Sequence, residues 1–203
     1  MRLSTVKLFA AFVFSLPVMS LPAIAQEIAR ERPHEKPIDT QRSTITIHVG
    51  KAGMFSMAAH EHWVSAPIAS GVIDETGARV EFKVLSASMM VKPDPKVDAK
   101  DHDQIQKHME ELTLETAKYP EITFRSTHVE KVAEGQFKVE GTLTLHGAFK
   151  PVTVIVKREG ESYTGHTVIK QTDFGIKPIS IAGGAIKIKD PVDIDFQIFP
   201  RPS

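Results

Sequence analysis

The chain reads as an all-β protein of antiparallel strands, and three observations predict it. Apolar and polar residues alternate through segment after segment, the period of a strand that buries one face. Short links containing glycine separate neighbouring segments, as hairpins require. Only one stretch, near the middle of the 203 residues, changes to helical spacing.

The N-terminus comes first. Arg2 and Lys7 precede an apolar run from Leu8 to Ser20, and Ala23-Ile24-Ala25 forms a small-x-small site before Gln26. This is the layout of a cleaved export signal over residues 1–25, and its apolar run falls short of the roughly 20 residues that span a bilayer. Export with cleavage places the mature chain in the periplasm. Gln26 to Arg42 is charged and interrupted by Pro33 and Pro37, and is expected to be a flexible leader (26–42) ahead of one domain over 43–200.

Alternation starts at Ser43. Ile45, Ile47 and Val49 alternate with Thr44, Thr46 and His48, and Val80, Phe82 and Val84 with Arg79, Glu81 and Lys83. Ile122 and Phe124 alternate with Thr123 and Arg125. Phe137, Val139, Leu143 and Leu145 share a register with Gly141, against Lys138, Glu140, Thr142 and Thr144. Near the end Ile186 and Ile188, then Val192, Ile194, Phe196 and Ile198, repeat the pattern. Asp74-Glu75-Thr76-Gly77, Ala133-Glu134-Gly135-Gln136 and Glu159-Gly160-Glu161-Ser162 are the expected hairpin links, and Gly183-Gly184 a further turn. A helix is expected at about Asp101 to Thr116. Asp101 and Gln104 suggest a capping box, Ile105, Met109 and Leu112 follow at helical spacing, and Tyr119-Pro120 restores extended structure. Such strands suit a sandwich or a barrel, since both bury one face of each strand.

Composition excludes several functions. Twenty-five basic residues balance 25 acidic ones, and cleavage after Ala25 removes Arg2 and Lys7, leaving a slight acidic excess. That balance gives no electrostatic case for nucleic acid or an anionic membrane surface. There is no cysteine, so thiol catalysis, disulfides and Cys-based zinc sites are ruled out. No nucleophile elbow, His-Glu-x-x-His helix or spaced carboxylate pair argues for catalysis. Asp173-Phe174-Gly175 lacks every companion motif of a kinase; Phe174 is expected to pack at one end of the fold, with Gly175 allowing a turn. A homodimer is compatible with this composition but not indicated by it.

Tyr119-Pro120-Glu121-Ile122-Thr123-Phe124-Arg125-Ser126-Thr127, Gly141-Thr142-Leu143-Thr144-Leu145-His146-Gly147 and Thr172-Asp173-Phe174-Gly175-Ile176 together resemble the YceI-like family, over roughly Ser43 to Phe199. The resemblance implies an eight-stranded antiparallel lipocalin-like barrel with one or two short helices. It also implies a lipid partner, because some members bind polyisoprenoids. Phe82, Ile122, Phe124, Phe137, Val139, Leu143 and Leu145 would then line a tunnel for an isoprenoid-like, quinone or other long apolar lipid. The alternative is that these side chains fill an ordinary core, since an eight-stranded barrel has room for side chains or for one small ligand.

His60-Glu61-His62 is the sharpest polar motif. Residues i and i+2 of an extended segment project to one face, so the two imidazoles can meet one metal ion, with Glu61 pointing away. Met54 and Met57 would suit copper; zinc fits less well, with no cysteine to complete its shell. His102, His108, His128 or His146 would supply a further ligand. The alternative is a pair of rim histidines, and although Ala59-His60-Glu61-His62 resembles a pair common in the family, no role carries over from it. His146 follows Lys138, Glu140 and Thr144 in parity and is expected to face outward. Gly147 to Pro151 reads as a hairpin link with the proline at a strand start.

Overall fold

Strand pairing begins earlier in the chain than the alternation does. The computed structural model describes residues 34–52, 61–181 and 186–202. The expected export signal (1–25) and the first part of the expected leader lie outside them, as does the expected turn at Gly183-Gly184. Glu35–Pro37, within the expected leader, forms strand β1 and pairs antiparallel with β4 (Ile68–Asp74). Ile38 follows as one of the most buried side chains, at 1% exposure. The leader expectation is corrected here: charge and Pro37 disguise a short edge strand, whose ladder is supplied by its neighbour.

The other strands are β2 (Thr44–Ala52), β3 (His62–Ser65), β5 (Arg79–Leu85), β6 (Met90–Val91), β7 (Glu121–Ala133) and β8 (Gln136–Leu145). They are followed by β9 (Ala148–Glu159), β10 (Ser162–Lys170), β11 (Ser180–Ile181) and β12 (Ile186–Ile198). One antiparallel sheet runs β1-β4-β5-β7-β8-β9-β10-β12-β2-β3-β6, with β11 paired to β12. Among the described residues, twelve strands stand where eight were expected.

The sheet curls back on itself through short pieces. Only Ala66-Pro67 separates β3, which pairs with β2, from β4, which pairs with β5. At the far end Ile38 bridges Pro200, Asp39 N donates to Phe199 O at 2.7 Å, and Arg201 N donates to Pro37 O at 2.8 Å. The N-terminal segment therefore joins β4 to the end of β12.

The hairpin links fall where glycine signalled them. Ala133 pairs with Gln136 and Glu159 with Ser162 across two-residue turns, with Gly135 and Gly160 at positive φ. A third two-residue turn, His146-Gly147, joins Leu145 to Ala148, with φ of 51° and 75°. Two consecutive positive φ values give the turn whose twist suits antiparallel strands. This corrects two expectations. Pro151 lies inside β9, opposite Thr142, on a stretch that β10 does not pair; and His146, being in the turn, escapes the strand parity that would point it outward.

Helix α1 (Ala99–His108) is capped by Asp98, whose side chain accepts from Asp101 N at 2.8 Å, so the helix starts before the expected Asp101. It continues as a wider turn over Met109–Thr113, where Leu114 N donates to Met109 O at 2.9 Å. That i→i−5 spacing moves the apolar stripe by one position: Leu114 is buried, while Leu112 is 65% exposed.

The apolar faces point inward and the opposite faces carry charge, including Glu81 with Arg125, Lys83 with Glu121 and Lys138 with Glu140. Among the described residues, no helix is long and apolar enough to cross a membrane.

Candidate functional site

The inward faces do not meet in the middle. They surround a cavity of about 1180 Å³, above the roughly 300–1,000 Å³ of ordinary small-molecule pockets. Phe82, Ile122, Phe124, Phe137, Val139, Leu143 and Leu145 all lie along its wall. Register brings them together: Phe82 stands opposite Phe124, Phe124 opposite Leu143, and Val84 opposite Ile122. The Phe82 and Phe124 rings stack with centroids 5.6 Å apart.

Two inward-facing glycines help to keep the lumen open. A Cβ at Gly141 would collide with the ring of Phe124, and one at Gly165 with the ring of Phe196. Each ring packs against the glycine of the neighbouring strand.

The wall extends well beyond the residues legible in the sequence. It includes Val152, Val154 and Val156 of β9, Tyr163 of β10, and Ile105 and Met109 of the helical segment. Strand β9 was hidden because Ile155, facing out, makes Val152 to Val156 nearly continuous in apolar character. Strand β10 was hidden because Gly165 and Thr167 interrupt its apolar side. The signal available was the expected hairpin link Glu159-Gly160-Glu161-Ser162, which separates the two strands.

Polar side chains gather at the two ends. At the end where Asp74-Glu75, Glu134-Gly135 and Gly160-Glu161 make their turns, Tyr163 Oη donates to Glu75 Oε1 at 2.8 Å. Burial, then this bond, pushes the Tyr163 phenol up to about 12, so it remains a hydrogen-bond donor at neutral pH. Arg79 sits between Glu35 and Glu81, each 2.6 Å away, and the bond to Glu81 raises its already high pKa.

At the opposite end the helical segment is fastened to the strands. His146 Nε2 lies 2.7 Å from Glu115 Oε2, and its Nδ1 lies 3.3 Å from the Phe174 carbonyl. Its ring packs 4.2 Å from that of Tyr119, leaving the side chain 11% exposed. Phe174 is buried in a short 3₁₀ turn that ends at Gly175 in a left-handed conformation, as expected for both.

His60, Met54 and Met57 lie outside the described residues. His62 lines the cavity, while Glu61 turns to His48, its Oε2 lying 3.1 Å from Nε2. His102 Nε2 lies 3.0 Å from the Val91 carbonyl. Among the described residues no three His, Cys, Asp or Glu side chains are grouped to hold a metal ion.

A curled antiparallel sheet around a large apolar cavity defines a lipocalin-like fold. The family model described as "YceI-like domain" matches residues 37–199, and the chain belongs to that family. A UPF0312 protein of Shewanella sp. (strain MR-7) is 29% identical over 184 residues, covering 84% of this chain and 87% of the relative. Among solved structures, a polyisoprenoid binding domain from Saccharophagus degradans aligns with a TM-score of 0.56 at 19% identity, covering 83% of this chain and 99% of that one. BcnA of Burkholderia cenocepacia aligns with a TM-score of 0.55 at 21% identity, covering 81% and 99%. At these identities the structures speak for the fold.

Proposed function

We propose that this chain is an exported periplasmic binding protein that holds one long apolar lipid, isoprenoid-like in shape, inside its barrel and performs no catalysis on it. The single observation that supports it is the cavity: about 1180 Å³ with a wall of aliphatic and aromatic side chains. Each methylene taken from water contributes about 0.8 kcal/mol, so a chain of ten or more carbons can bind tightly without a charged contact. The Saccharophagus degradans relative, by its description, is a polyisoprenoid binding domain, which favours the same ligand class here.

The test is native mass spectrometry and organic extraction of protein purified from the exported fraction. A co-purifying prenol or isoprenoid quinone at near-equimolar amount is the expected result. Ligand-free protein that also takes up no added prenol or quinone overturns the reading.

A further inference from the structure

Backbone ladders hold most of the barrel wall, and several of its interruptions are bridged. Where β5 runs past the end of its ladder with β7, Val80 N donates to Ser126 Oγ at 2.9 Å. At the β6 edge Val91 N donates to Gln106 Oε1 of α1 at 2.8 Å. Between β4 and β12 the segment around Ile38 makes the join.

The interruption between β9 and β10 has no such bridge. Their ladder runs from Glu159–Ser162 at the hairpin turn to Ile155–His166 and stops. Beyond that point each strand pairs on its other side only, β9 with β8 as far as Ala148 and β10 with β12 as far as Lys170. Among the described residues, no hydrogen bond crosses from 148–154 of β9 to 167–170 of β10.

Side chains close this seam. Val152, Val154, Thr167 and Ile169 line the cavity on its inner side. On the outer side Phe149, Ile155 and Val168 are 71%, 48% and 51% exposed, so apolar surface continues from solvent through the seam to the lumen. Lys150 and Lys170, both exposed, mark its far end. The two mouths of the barrel differ. Glu75 and Arg79 lie on the wall at one, and His62, Gln104, His108 and Lys187 at the other. A hydrocarbon chain entering by a mouth displaces water from these polar groups, which is costly.

The far end of the seam is stopped by the 3₁₀ turn Gln171–Phe174, which touches both strands. Gln171 Nε2 donates to Lys189 O and Thr172 N to Asp190 Oδ1, each at 2.8 Å, tying the turn to β12. Towards β9 it is held by the buried Phe174, whose carbonyl lies 3.3 Å from His146 Nδ1 in the β8–β9 turn. Spreading β9 from β10 therefore parts side-chain packing and one long polar contact. Opening a paired part of the wall strips backbone groups of their partners instead.

We propose that the β9–β10 seam is a lateral portal through which the apolar chain of the ligand enters and leaves the lumen, sideways between the strands. This rests on the carrier reading above and adds the route to it.

The experiment measures transfer of radiolabelled geranylgeraniol from phosphatidylcholine vesicles to the delipidated protein and back, giving both rates and Kd. The chain has no cysteine, so a single introduced thiol is the only one to react. Val168→Cys labelled with sulfonatoethyl methanethiosulfonate places a fixed anion at the portal. It should slow uptake and release alike by about tenfold and leave Kd unchanged, because a barrier on the route does not alter the two end states. Dithiothreitol, which removes the label, should restore both rates and so exclude loss of fold. Thr153→Cys/Val168→Cys bridged by bismaleimidoethane should slow both rates in the same way by holding the strands together. Val132→Cys, labelled identically at an exposed site on β7, should exchange at wild-type rates. If wild type takes up no geranylgeraniol, the carrier reading falls and the portal with it. If wild type binds and the labelled and bridged variants exchange at its rates, the chain uses a mouth and the portal alone is overturned. A label that weakens binding by speeding release also overturns it, because it then acts on the bound ligand and not on its passage.

Discussion

Tyr163 shows how one side chain can join wall and rim. Its ring lies edge-on to Phe137 with centroids 6.3 Å apart, and its hydroxyl leaves the apolar lumen for Glu75. Burial and the carboxylate both disfavour the phenolate. The raised pKa means this group's contribution to stability is fully present below the ordinary tyrosine value near 10 and is lost as the pH rises through about 12. A near-UV absorbance titration should find one of the two tyrosines ionising near 12. In Tyr163→Phe that step should vanish, and in Glu75→Gln it should move towards the ordinary range. A wild-type titration with no step near 12 would mean that the Tyr163–Glu75 bond is not made in solution. His146 makes the complementary point about legibility. Its parity was readable, but two positive φ values in succession take it out of the strand, and the sequence carries that only as His-Gly at a turn.

Among the elements, those with clean alternation were legible: β2, β5, β8 and β12 each bury one face, and composition records it directly. Those that rely on neighbours were not. Strand β1 is three residues long, with two charges and a proline, and exists because β4 offers it an edge. The helix was legible in place but not in phase, since the wide turn at Met109–Thr113 shifts which leucine is buried. The candidate wall residues on β5, β7 and β8 were readable because each lies in an alternating strand. The rim was not, because Glu75 and Tyr163 meet only through the curl of the sheet. Strand β1 also makes a firm prediction. Ile38 is buried at the point where β1 meets both β4 and the end of β12, with its N–H donating to Gly71 O at 2.9 Å. Ile38→Ala should cost roughly 2–5 kcal/mol, the range for a buried aliphatic truncated to alanine. Urea unfolding checks it, and a loss under about 1 kcal/mol would mean that this segment is not docked between β4 and the end of β12.

At the scale of the whole molecule, the question is whether the interior is a packed core or a vessel, and the two respond oppositely to added volume. In a close-packed core, an enlarged side chain forces neighbours off their rotamers and costs about 1–3 kcal/mol. In an open lumen it enters empty space and gains contacts. Val139 is well placed to tell these apart. It is buried on the cavity wall, opposite Val129 on β7 and Val154 on β9, and its side chain points at the lumen. Val139→Phe should leave the melting temperature of the delipidated protein unchanged or raised. The same variant should lose most of the stabilisation that a prenol confers on wild type. That stabilisation follows mass action and reaches about 2.7 kcal/mol when free ligand is one hundred times its Kd. Differential scanning calorimetry with and without ligand reads both effects in one experiment. A variant that melts well below wild type without ligand, yet keeps the full ligand shift, would show that the space around Val139 is packed and that the lipid lies elsewhere. A variant that is stable but no longer shifts would show that the volume inside this sheet is the volume the ligand uses.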